Sequence, residues 1–288
     1  MPIATLIAAP GALDPALVES LRNAWGGGAA EWLSPDEAAE FTLPQIPSNR
    51  WETWEELQAQ NTDLILQPAG NRRKTMLLAD MDCTMTQQEC IDELADVAGA
   101  GEAVRAITKR AMNGELNFEE ALKARVALMR GLPEAALEEV WQTRITYMPG
   151  GATLLATMKA HGAYAALVSG GFTYYTERVA RELGFDEARA NTLIVEKGEV
   201  TGHVAEPILG REAKVRALEE ITARLGITEA EVLAVGDGAN DLGMLARAGT
   251  GVALHAKPSV AAQCEVRVNH GDLTALLFLQ GYTRAEFR

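Results

Sequence analysis

From Met76 to the C-terminus, short apolar runs alternate with amphipathic helical patterns. The first run, MLLA, starts at Met76, and similar runs recur over residues 164–169, 232–236, 251–254 and, more weakly, 266–268. Apolar runs of this length, bounded by turns, are typical of strands that are buried on both faces. Strands that alternate with helices predict an α/β fold built on a doubly wound, mainly parallel sheet.

Helices and a hairpin are expected between these strands. Amphipathic patterns predict helices over residues 150–161, 173–183 and 211–225. Residues 192–204 contain Lys197-Gly198 at their centre, which predicts a β-hairpin appended to the sheet.

The stretch after the first predicted strand breaks the alternation. Between Ile91 and about Arg144 the sequence offers four helical patterns and no convincing strand. We therefore expect a helical cap over about residues 90–146, inserted after the first strand of a core that spans residues 75–288. An insertion at the carboxyl end of a sheet strand lies over the place where such folds bind ligands, so the cap is a candidate lid.

The first 70 residues follow a different pattern. They read as strand, helix, two extended pieces, helix and strand, a β-α-β-β-α-β order that predicts a small α+β domain over residues 1–70. The polar segment 67–74, QPAGNRRK, is typical of a linker or turn before the core.

Charge and cysteine content restrict the partners and the compartment. The chain has 288 residues with 26 basic and 40 acidic side chains, a formal charge of −14. This balance disfavours nucleic-acid and anionic-membrane binding, which rely on basic surfaces. The three cysteines form no CxxC pair, the N-terminus is a poor signal peptide, and no run of about 18 apolar residues is present, so we expect a cytoplasmic protein without a membrane span.

The sharpest motif is Asp80-Met81-Asp82-Cys83-Thr84, directly after the first apolar run. Extended side chains at i and i+2 point the same way, so Asp80 and Asp82 are expected to enter one crevice. Two carboxylates so close repel each other unless a cation is bound or one of them is protonated. The alternative for an isolated DxD is an aspartate that caps a turn or the next helix.

A second acidic motif, GDGAND, follows the run over residues 232–236. Asp237 and Asp241 lie four residues apart in it, and Asn240 or Asp241 could also serve as a helix N-cap. Together with the first motif it gives four carboxylates at the ends of two strands, which predicts an Mg²⁺ site. A Walker-type phosphate loop is absent, the four histidines lack zinc-ligand spacing, and a DxD glycosyltransferase is disfavoured by the GDGAND partner.

Two further features suit an anion. Ser169 and Gly170, in the letters VSGGF, close one predicted strand and open a helix, where a hydroxyl and free amides can bind an anion. Lys214 lies in the first turns of the helix over residues 211–225. By themselves these features are equally typical of a glycine turn and of a surface lysine.

In this order, the four elements resemble the haloacid dehalogenase (HAD) superfamily of phosphohydrolases from about Met76 to the C-terminus. The longer strings ADMDCTMTQQECIDELADVAG, ITKRAMNGELNFEEALKARVALMRGLP, VSGGF and VGDGAND are similar to the phosphoserine phosphatases within it. The sequence departs at Cys83, where a small hydroxyl residue is usual, and over residues 1–70. The element order of residues 1–70 is similar to that of the small amino-acid-binding, ACT-like modules of some bacterial relatives. This similarity implies effector binding or a homodimer.

The resemblance implies a reaction and a role for each core residue. The expected activity is Mg²⁺-dependent hydrolysis of phosphoserine, the last step of serine biosynthesis, through an aspartyl-phosphate. Asp80 would be the nucleophile and Asp82 the general acid and base. Mg²⁺ would be held by Asp80, the backbone carbonyl of Asp82 and Asp237, with Asp241 in support. The phosphate ligands would be Ser169, Gly170, Lys214 and Asn240.

The resemblance also implies how the cap recognises a small-molecule substrate. Glu89 would bind the ammonium group and Arg125 the carboxylate, beside Phe118 and Met112. Arg125 interrupts the apolar stripe of Phe118, Leu122 and Met129, which by itself is typical of a snorkelling arginine. The alternative activity is a phosphotransferase that passes the phosphoryl group to another small alcohol such as homoserine.

Overall fold

The computed structural model of the chain describes residues 1–112 and 115–288. The strands are β1 (Pro2–Ile7), β2 (Glu31–Ser34), β3 (Ala38–Thr42), β4 (Asp63–Pro68), β5 (Met76–Ala79), β6 (Tyr164–Phe172), β7 (Glu187–Asn191), β8 (Leu193–Glu196), β9 (Glu199–Val204), β10 (Val232–Gly236), β11 (Thr250–Leu254) and β12 (Val266–Val268). The helices are α1 (Pro15–Ala24), α2 (Arg50–Gln58), α3 (Cys90–Val97), α4 (Gly101–Met112), α5 (Phe118–Ala127), α6 (Ala135–Thr143), α7 (Gly151–Ala160), α8 (Thr173–Leu183), α9 (Arg211–Leu225), α10 (Leu242–Arg247), α11 (Pro258–Ala261) and α12 (Ala275–Leu279).

The main sheet has the strand order β12-β11-β10-β5-β6-β7 within the described part of the chain. The pairs β6–β7, β10–β11 and β11–β12 are parallel. Every residue of β5 and β10 is buried, as expected for strands covered on both faces. The predicted α/β class and mainly parallel sheet are thus confirmed. The order runs outward from β5 in both directions, and such a reversal point is where doubly wound folds bind ligands.

Backbone contacts divide the described chain into two compact units. The first comprises Met1–Leu77, Pro149–Tyr164 and Gly226–Arg288. It contains an antiparallel sheet of order β2-β3-β1-β4, and its elements follow the predicted β-α-β-β-α-β order. This sheet and its helices bury a cluster of their own around Leu6 and Phe41. The predicted boundary between residues 70 and 75 stays a prediction, because this segment shares its compact unit with β10–β12.

Buried Asp63 ties the N-terminal sheet to the loop after β12 inside the first unit. Its carboxylate accepts hydrogen bonds from the backbone N–H groups of Asn269, His270 and Gly271 at 2.8–3.0 Å. A cavity of about 1020 Å³ also lies in this unit, and its lining includes Leu66. Among the described residues, none predicted for catalysis lines this cavity.

The second unit comprises Leu78–Met148 and Ala165–Leu225. Helices α3 to α6 follow β5, so the predicted helical cap after the first core strand is confirmed. Helix α5 begins with a capping box, in which Asn117 and Glu120 bond each other's backbone N–H. Strands β8 and β9 form the predicted hairpin, but as a two-stranded sheet of their own and not as part of the main sheet. Lys197 and Gly198 both take the positive φ that its tight turn requires.

None of the helices over residues 1–112 and 115–288 is long and apolar enough to cross a membrane.

Candidate active site

Asp80 and Lys214 form a buried ion pair just after β5. Lys214 Nζ lies 2.6 Å from Asp80 Oδ1, and the two side chains are 3% and 7% exposed. The backbone N–H of Met81 donates to the same carboxylate oxygen at 2.8 Å. Burying both charges costs free energy. Lys214 is therefore not a lysine that simply covers the surface of its helix. Helix α9 therefore positions the Lys214 side chain against Asp80 of the first acidic motif.

Asp82 occupies a second buried position, with different partners. Its Oδ1 accepts the backbone N–H of Cys90, the first residue of α3, at 3.0 Å, and its Oδ2 accepts the Ser169 hydroxyl at 3.4 Å. Burial raises the pKa of Asp82, while the contacts with Cys90 and Ser169 and the charge of Lys214 act in the opposite direction. A carboxyl group with a raised pKa keeps its proton to a higher pH than an ordinary aspartate, which is what a general acid requires.

Ser169, Gly170 and Gly171 form an irregular, loop-like segment at the end of β6, just before α8. The Ser169 hydroxyl is buried and accepts the backbone N–H of Gly171 at 2.8 Å. A Cβ on Gly171 would lie 2.6 Å from Asp82 Oδ2, so any side chain there would have to displace this carboxylate oxygen. The backbone thus packs directly against the Asp82 carboxylate, and glycine permits this approach without displacing it.

Asn191, which the sequence analysis missed, holds this loop in place through side-chain hydrogen bonds to the backbone. Its Nδ2 donates to the backbone oxygens of Gly170 at 2.8 Å and Leu209 at 3.1 Å, and its Oδ1 accepts the Leu209 N–H at 2.7 Å. The side chain is buried at the end of β7. The available signal was an asparagine that closes a strand, which by itself is also typical of a turn.

The cap contributes a guanidinium group that is largely uncommitted. Arg125 is half-buried, and its Nε donates to Ala121 O in the same helix at 3.2 Å. No described residue forms an ion pair with it. Burial lowers its pKa, and the nearby charges of Glu89, Asp92 and Asp82 raise it. A guanidinium with unused donors in a partly desolvated site suits a carboxylate ligand.

Phe118, at the start of α5, lies against the loop of Ser169, Gly170 and Gly171. A Cβ on Gly170 would lie 3.1 Å from the Phe118 ring, and one on Gly210 would lie 3.2 Å from it. Glu89 is exposed and stands before α3 without capping it through its side chain. The side chain of Met112, the remaining predicted cap residue, lies outside the described part of the structure.

The second acidic motif forms the turn between β10 and α10. Asp241 is fully buried, and its Oδ2 accepts the backbone N–H of Gly238 at 3.0 Å. Asp241 stands at the N-cap position of α10, but its side chain makes no cap bond to that helix. Asp237 and Asn240 are half-buried in the same turn. The carboxylate of Asp241 thus organises its own loop.

Three carboxylates are close enough to share a cation. Asp80, Asp237 and Asp241 each offer one oxygen, and these oxygens lie within 4.8 Å of one another in the described structure. Carboxylate oxygens are the ligands that hard divalent cations prefer. The side chain of Asp82 is not part of this group and bonds Cys90 and Ser169 instead.

The sequence profile of the haloacid dehalogenase-like hydrolases matches residues 77–246, more than half of the chain. The chain belongs to this family. The matched region includes both acidic motifs, the Ser169 loop, Lys214 and the cap.

Several relatives of this HAD-like hydrolase are named phosphoserine phosphatases. It is 41% identical over 223 residues to one from Archaeoglobus fulgidus, a match that covers 77% of the chain and 64% of the relative's length. It is 44% identical over 209 residues to one from Polaromonas sp., covering 71% and 89% of the two chains. A HAD family hydrolase from Salmonella enterica superposes with a TM-score of 0.87 at 31% identity, covering 97% and 98%.

Cys83 marks where this HAD-like hydrolase departs from the pattern that its motif resembles. It adopts a positive φ of 55°, in the left-handed region, and is half-buried. Its backbone N–H donates to Gln88 O at 3.4 Å, within the turn that leads to α3. A non-glycine residue in this region stores some backbone strain, in a turn that directly follows Asp82.

Proposed function

We propose that this HAD-like hydrolase is a phosphoserine phosphatase that converts O-phospho-L-serine to L-serine and inorganic phosphate. The observation that carries the proposal is the buried pair of Asp80 and Lys214 beside the buried carboxyl of Asp82. This set provides a nucleophile, a cation for the phosphoryl group and a proton donor. The names of the curated relatives support the substrate.

Asp80 is the nucleophile in this proposal. One of its carboxylate oxygens attacks phosphorus, and the bond from phosphorus to the serine oxygen breaks as an aspartyl-phosphate forms. Lys214, whose Nζ is 2.6 Å from Asp80 Oδ1, neutralises charge on the transferring group. A preorganised cation in a buried site stabilises the transition state more than the same cation in water.

Asp82 moves the proton. In the first step its protonated carboxyl gives a proton to the departing serine oxygen. In the second step the resulting carboxylate takes a proton from the water that attacks the aspartyl-phosphate, which releases inorganic phosphate and regenerates both aspartates. The raised pKa of Asp82 supports the donor role, and the N–H of Cys90 supports the carboxylate that remains.

The phosphate oxygens are bound by Ser169, the backbone N–H of Gly170, Lys214 and Asn240. Asn191 acts through the loop, because its bond to the Gly170 carbonyl fixes the Gly170–Gly171 peptide, which directly follows the Gly170 N–H. Hydroxyl and backbone N–H donors at the start of α8 also benefit from the positive end of the helix dipole.

The three clustered carboxylates fit a magnesium ion, and we propose Mg²⁺ as the cofactor. Asp80, the backbone carbonyl of Asp82 and Asp237 would hold it, and buried Asp241 would orient that arrangement through its bond to the loop. When bound, the ion supplies positive charge that offsets the repulsion among these carboxylates and the incoming phosphate dianion.

The cap recognises the amino-acid end of the substrate. Arg125 binds the carboxylate, because its Nε bonds Ala121 O within the helix while its two Nη groups bond no described residue. Glu89 accepts the ammonium group, and Phe118 closes over the glycine loop. Met112 is proposed as an apolar neighbour of the same pocket.

The test is phosphate release from L-phosphoserine by the full chain with Mg²⁺. We expect turnover that Asp80→Asn abolishes, with far lower kcat/KM for unrelated sugar phosphates. Asp36→Asn, a change in an exposed turn of the N-terminal sheet, is the matched control and should retain full activity. Equal turnover of sugar phosphates would contradict the substrate assignment.

The phosphotransferase alternative keeps the same aspartyl-phosphate but replaces water by an alcohol such as homoserine. The curated relatives do not favour it. Product analysis with homoserine present should yield serine and inorganic phosphate in equal amounts, with no phosphohomoserine.

For residues 1–70 we propose a role in dimerisation or effector binding. Strand β2 is the free edge of the N-terminal sheet and carries the exposed Trp32, which supports an interface there. Deletion of this segment should change oligomeric state or the response to serine. Cys83, Cys90 and Cys264 form no disulfide with one another in the described structure, which supports a reducing, cytoplasmic location.

A further inference from the structure

Asp92 presents an unsatisfied carboxylate oxygen inside the cap. Its Oδ1 is completely buried and has no hydrogen-bond partner among the described residues, although the side chain as a whole is only half-buried. Buried carboxylate oxygens almost always have a partner, because an unpaired one costs free energy. An oxygen of this kind is available to a ligand that supplies the missing donor.

The position of Asp92 connects it to the proposed substrate site. It lies one helical turn after Glu89, and its backbone N–H donates to Glu89 O at 3.0 Å. Residues three apart at a helix start present their side chains on neighbouring parts of one face. Asp92 and Arg125 also lie within electrostatic range of each other, and both Asp92 and Glu89 act on the guanidinium.

Charge balance indicates which ligand this arrangement prefers. Arg125 contributes one positive charge, and Glu89 and Asp92 contribute two negative charges, which leaves one negative charge in excess. An α-amino-acid end adds a carboxylate and an ammonium on the same carbon, with no net charge. A carboxylate without an ammonium would add a second excess negative charge in a partly desolvated site, which is unfavourable.

We propose that Asp92 is a specificity-determining residue that accepts the substrate's ammonium group together with Glu89. This inference rests on the proposed function, in which Arg125 binds the neighbouring carboxylate. Arg125 then recognises any acid of the right size, while Asp92 and Glu89 select the amino acid over the corresponding hydroxy acid. A site that hydrogen-bonds a substrate N–H rejects the analogue that lacks it, because its own polar group is left unpaired.

The test compares L-phosphoserine with 3-phosphoglycerate, which carries a hydroxyl in place of the ammonium group. Asp92→Asn keeps the shape and removes the charge. We expect kcat/KM for phosphoserine to fall at least about 10-fold, mainly through KM, as for the loss of a hydrogen bond to a charged group. The affinity for 3-phosphoglycerate, measured as turnover or as competitive inhibition, should stay the same or increase. Asp92→Glu should recover part of the preference.

Asp96→Asn is the matched control. Asp96 lies one turn further along α3, is exposed, and pairs with Arg105 at 3.1 Å, so its loss should leave the preference unchanged. A thermal unfolding curve of each variant reports whether the cap is folded. If Asp92→Asn weakened both ligands equally, or neither, Asp92 would have a structural role and the inference would be wrong. A wild type that does not turn over phosphoserine would instead overturn the proposed function, and this inference with it.

Discussion

Lys214 Nζ lies 2.6 Å from Asp80 Oδ1, and both side chains are almost completely buried. The two residues come from distant parts of the chain, β5 and the start of α9, and meet without solvent between them. The pairing costs desolvation energy for both ions, and a hydrophobic pair could serve stability as well. The arrangement fits the proposed reaction, in which Asp80 is held in place as the nucleophile and Lys214 is close enough to neutralise charge on the transferred phosphoryl group.

Lys214→Met tests this pair. We expect kcat/KM for phosphoserine to fall by about 10²–10³, the usual cost of removing one preorganised donor from a transition state. The variant should also lose about 3 kcal/mol of unfolding free energy, because the Asp80 charge is left buried and unpaired by Lys214. Denaturant unfolding checks the second effect, and adding Asp80→Asn should restore stability but not activity.

Arg216→Met, two residues along the same helix, is the control for Lys214→Met. Arg216 is exposed and lies 3.8 Å from Glu212, a surface pair worth little. Unchanged activity in this control and a large loss in Lys214→Met are the expected results. Similar losses in both variants would mean that α9 is merely sensitive to substitution.

The pH dependence should report the raised pKa of Asp82. The first step needs the protonated carboxyl, so kcat/KM should fall as the pH rises through this pKa, which lies above that of an ordinary aspartate. Asp82→Asn should remove this alkaline limb and lower kcat/KM for phosphoserine by about 10²–10⁴. The loss should be much smaller for p-nitrophenyl phosphate, whose leaving group needs no proton. Equal losses for both substrates would contradict the general-acid role.

Gly171→Ala should damage catalysis more than stability. The new Cβ would lie 2.6 Å from Asp82 Oδ2 and 3.0 Å from Ser169 Oγ, so it must displace the ends of two side chains. We expect kcat to fall at least about 10-fold, since small displacements of catalytic groups have effects of this size or larger. Gly70→Ala, at a position with no atom within 4 Å, is the matched control and should be silent. Normal kcat in Gly171→Ala would show that Asp82 tolerates displacement.

The sequence predicted what depends on local pattern. Apolar runs located the strands of the main sheet, and the motif at Asp80 and Asp82 marked the carboxyl end of the first one. The cap helices followed from the lack of strand patterns over residues 90–146. Each of these signals is carried by residues that are close together in the chain, so periodicity and turn chemistry were sufficient.

Long-range contacts could not be read in the same way. Nothing in the spacing around Asn191 shows that its amide reaches Gly170 and Leu209, and nothing around Asp92 shows that one oxygen is buried without a partner. The local sequence around Lys214 is typical of a surface lysine, and only the tertiary structure shows its ion pair with Asp80. Burial and side-chain direction are set by tertiary packing, which a single sequence does not encode locally.

Asn191→Ala should weaken phosphate binding, although Asn191 itself makes no contact with the substrate in the proposed site. Three hydrogen bonds would be lost, and the half-buried carbonyls of Gly170 and Leu209 would each lose a donor, for a cost of about 2–3 kcal/mol in unfolding free energy. Because the loop would be freer, we expect KM for phosphoserine and the inhibition constant of inorganic phosphate to rise together by about 10-fold. Asn23→Ala, in an exposed position of α1, should change neither. A stability loss without any change in phosphate affinity would assign Asn191 a purely structural role.

Removal of divalent cations should abolish activity, and the acidic cluster should determine how much metal restores it. Asp80, Asp237 and Asp241 bring three carboxylate oxygens within 4.8 Å, an arrangement whose repulsion a cation relieves. After treatment with EDTA, activity should return on titration with Mg²⁺. Asp237→Asn should raise the Mg²⁺ concentration for half-maximal activity at least about 10-fold, since the variant replaces a charged ligand by a neutral one. Asp272→Asn is the control, because among the described residues its carboxylate bonds Thr274 within its own turn. An unchanged Mg²⁺ requirement in Asp237→Asn would show that the cation binds elsewhere.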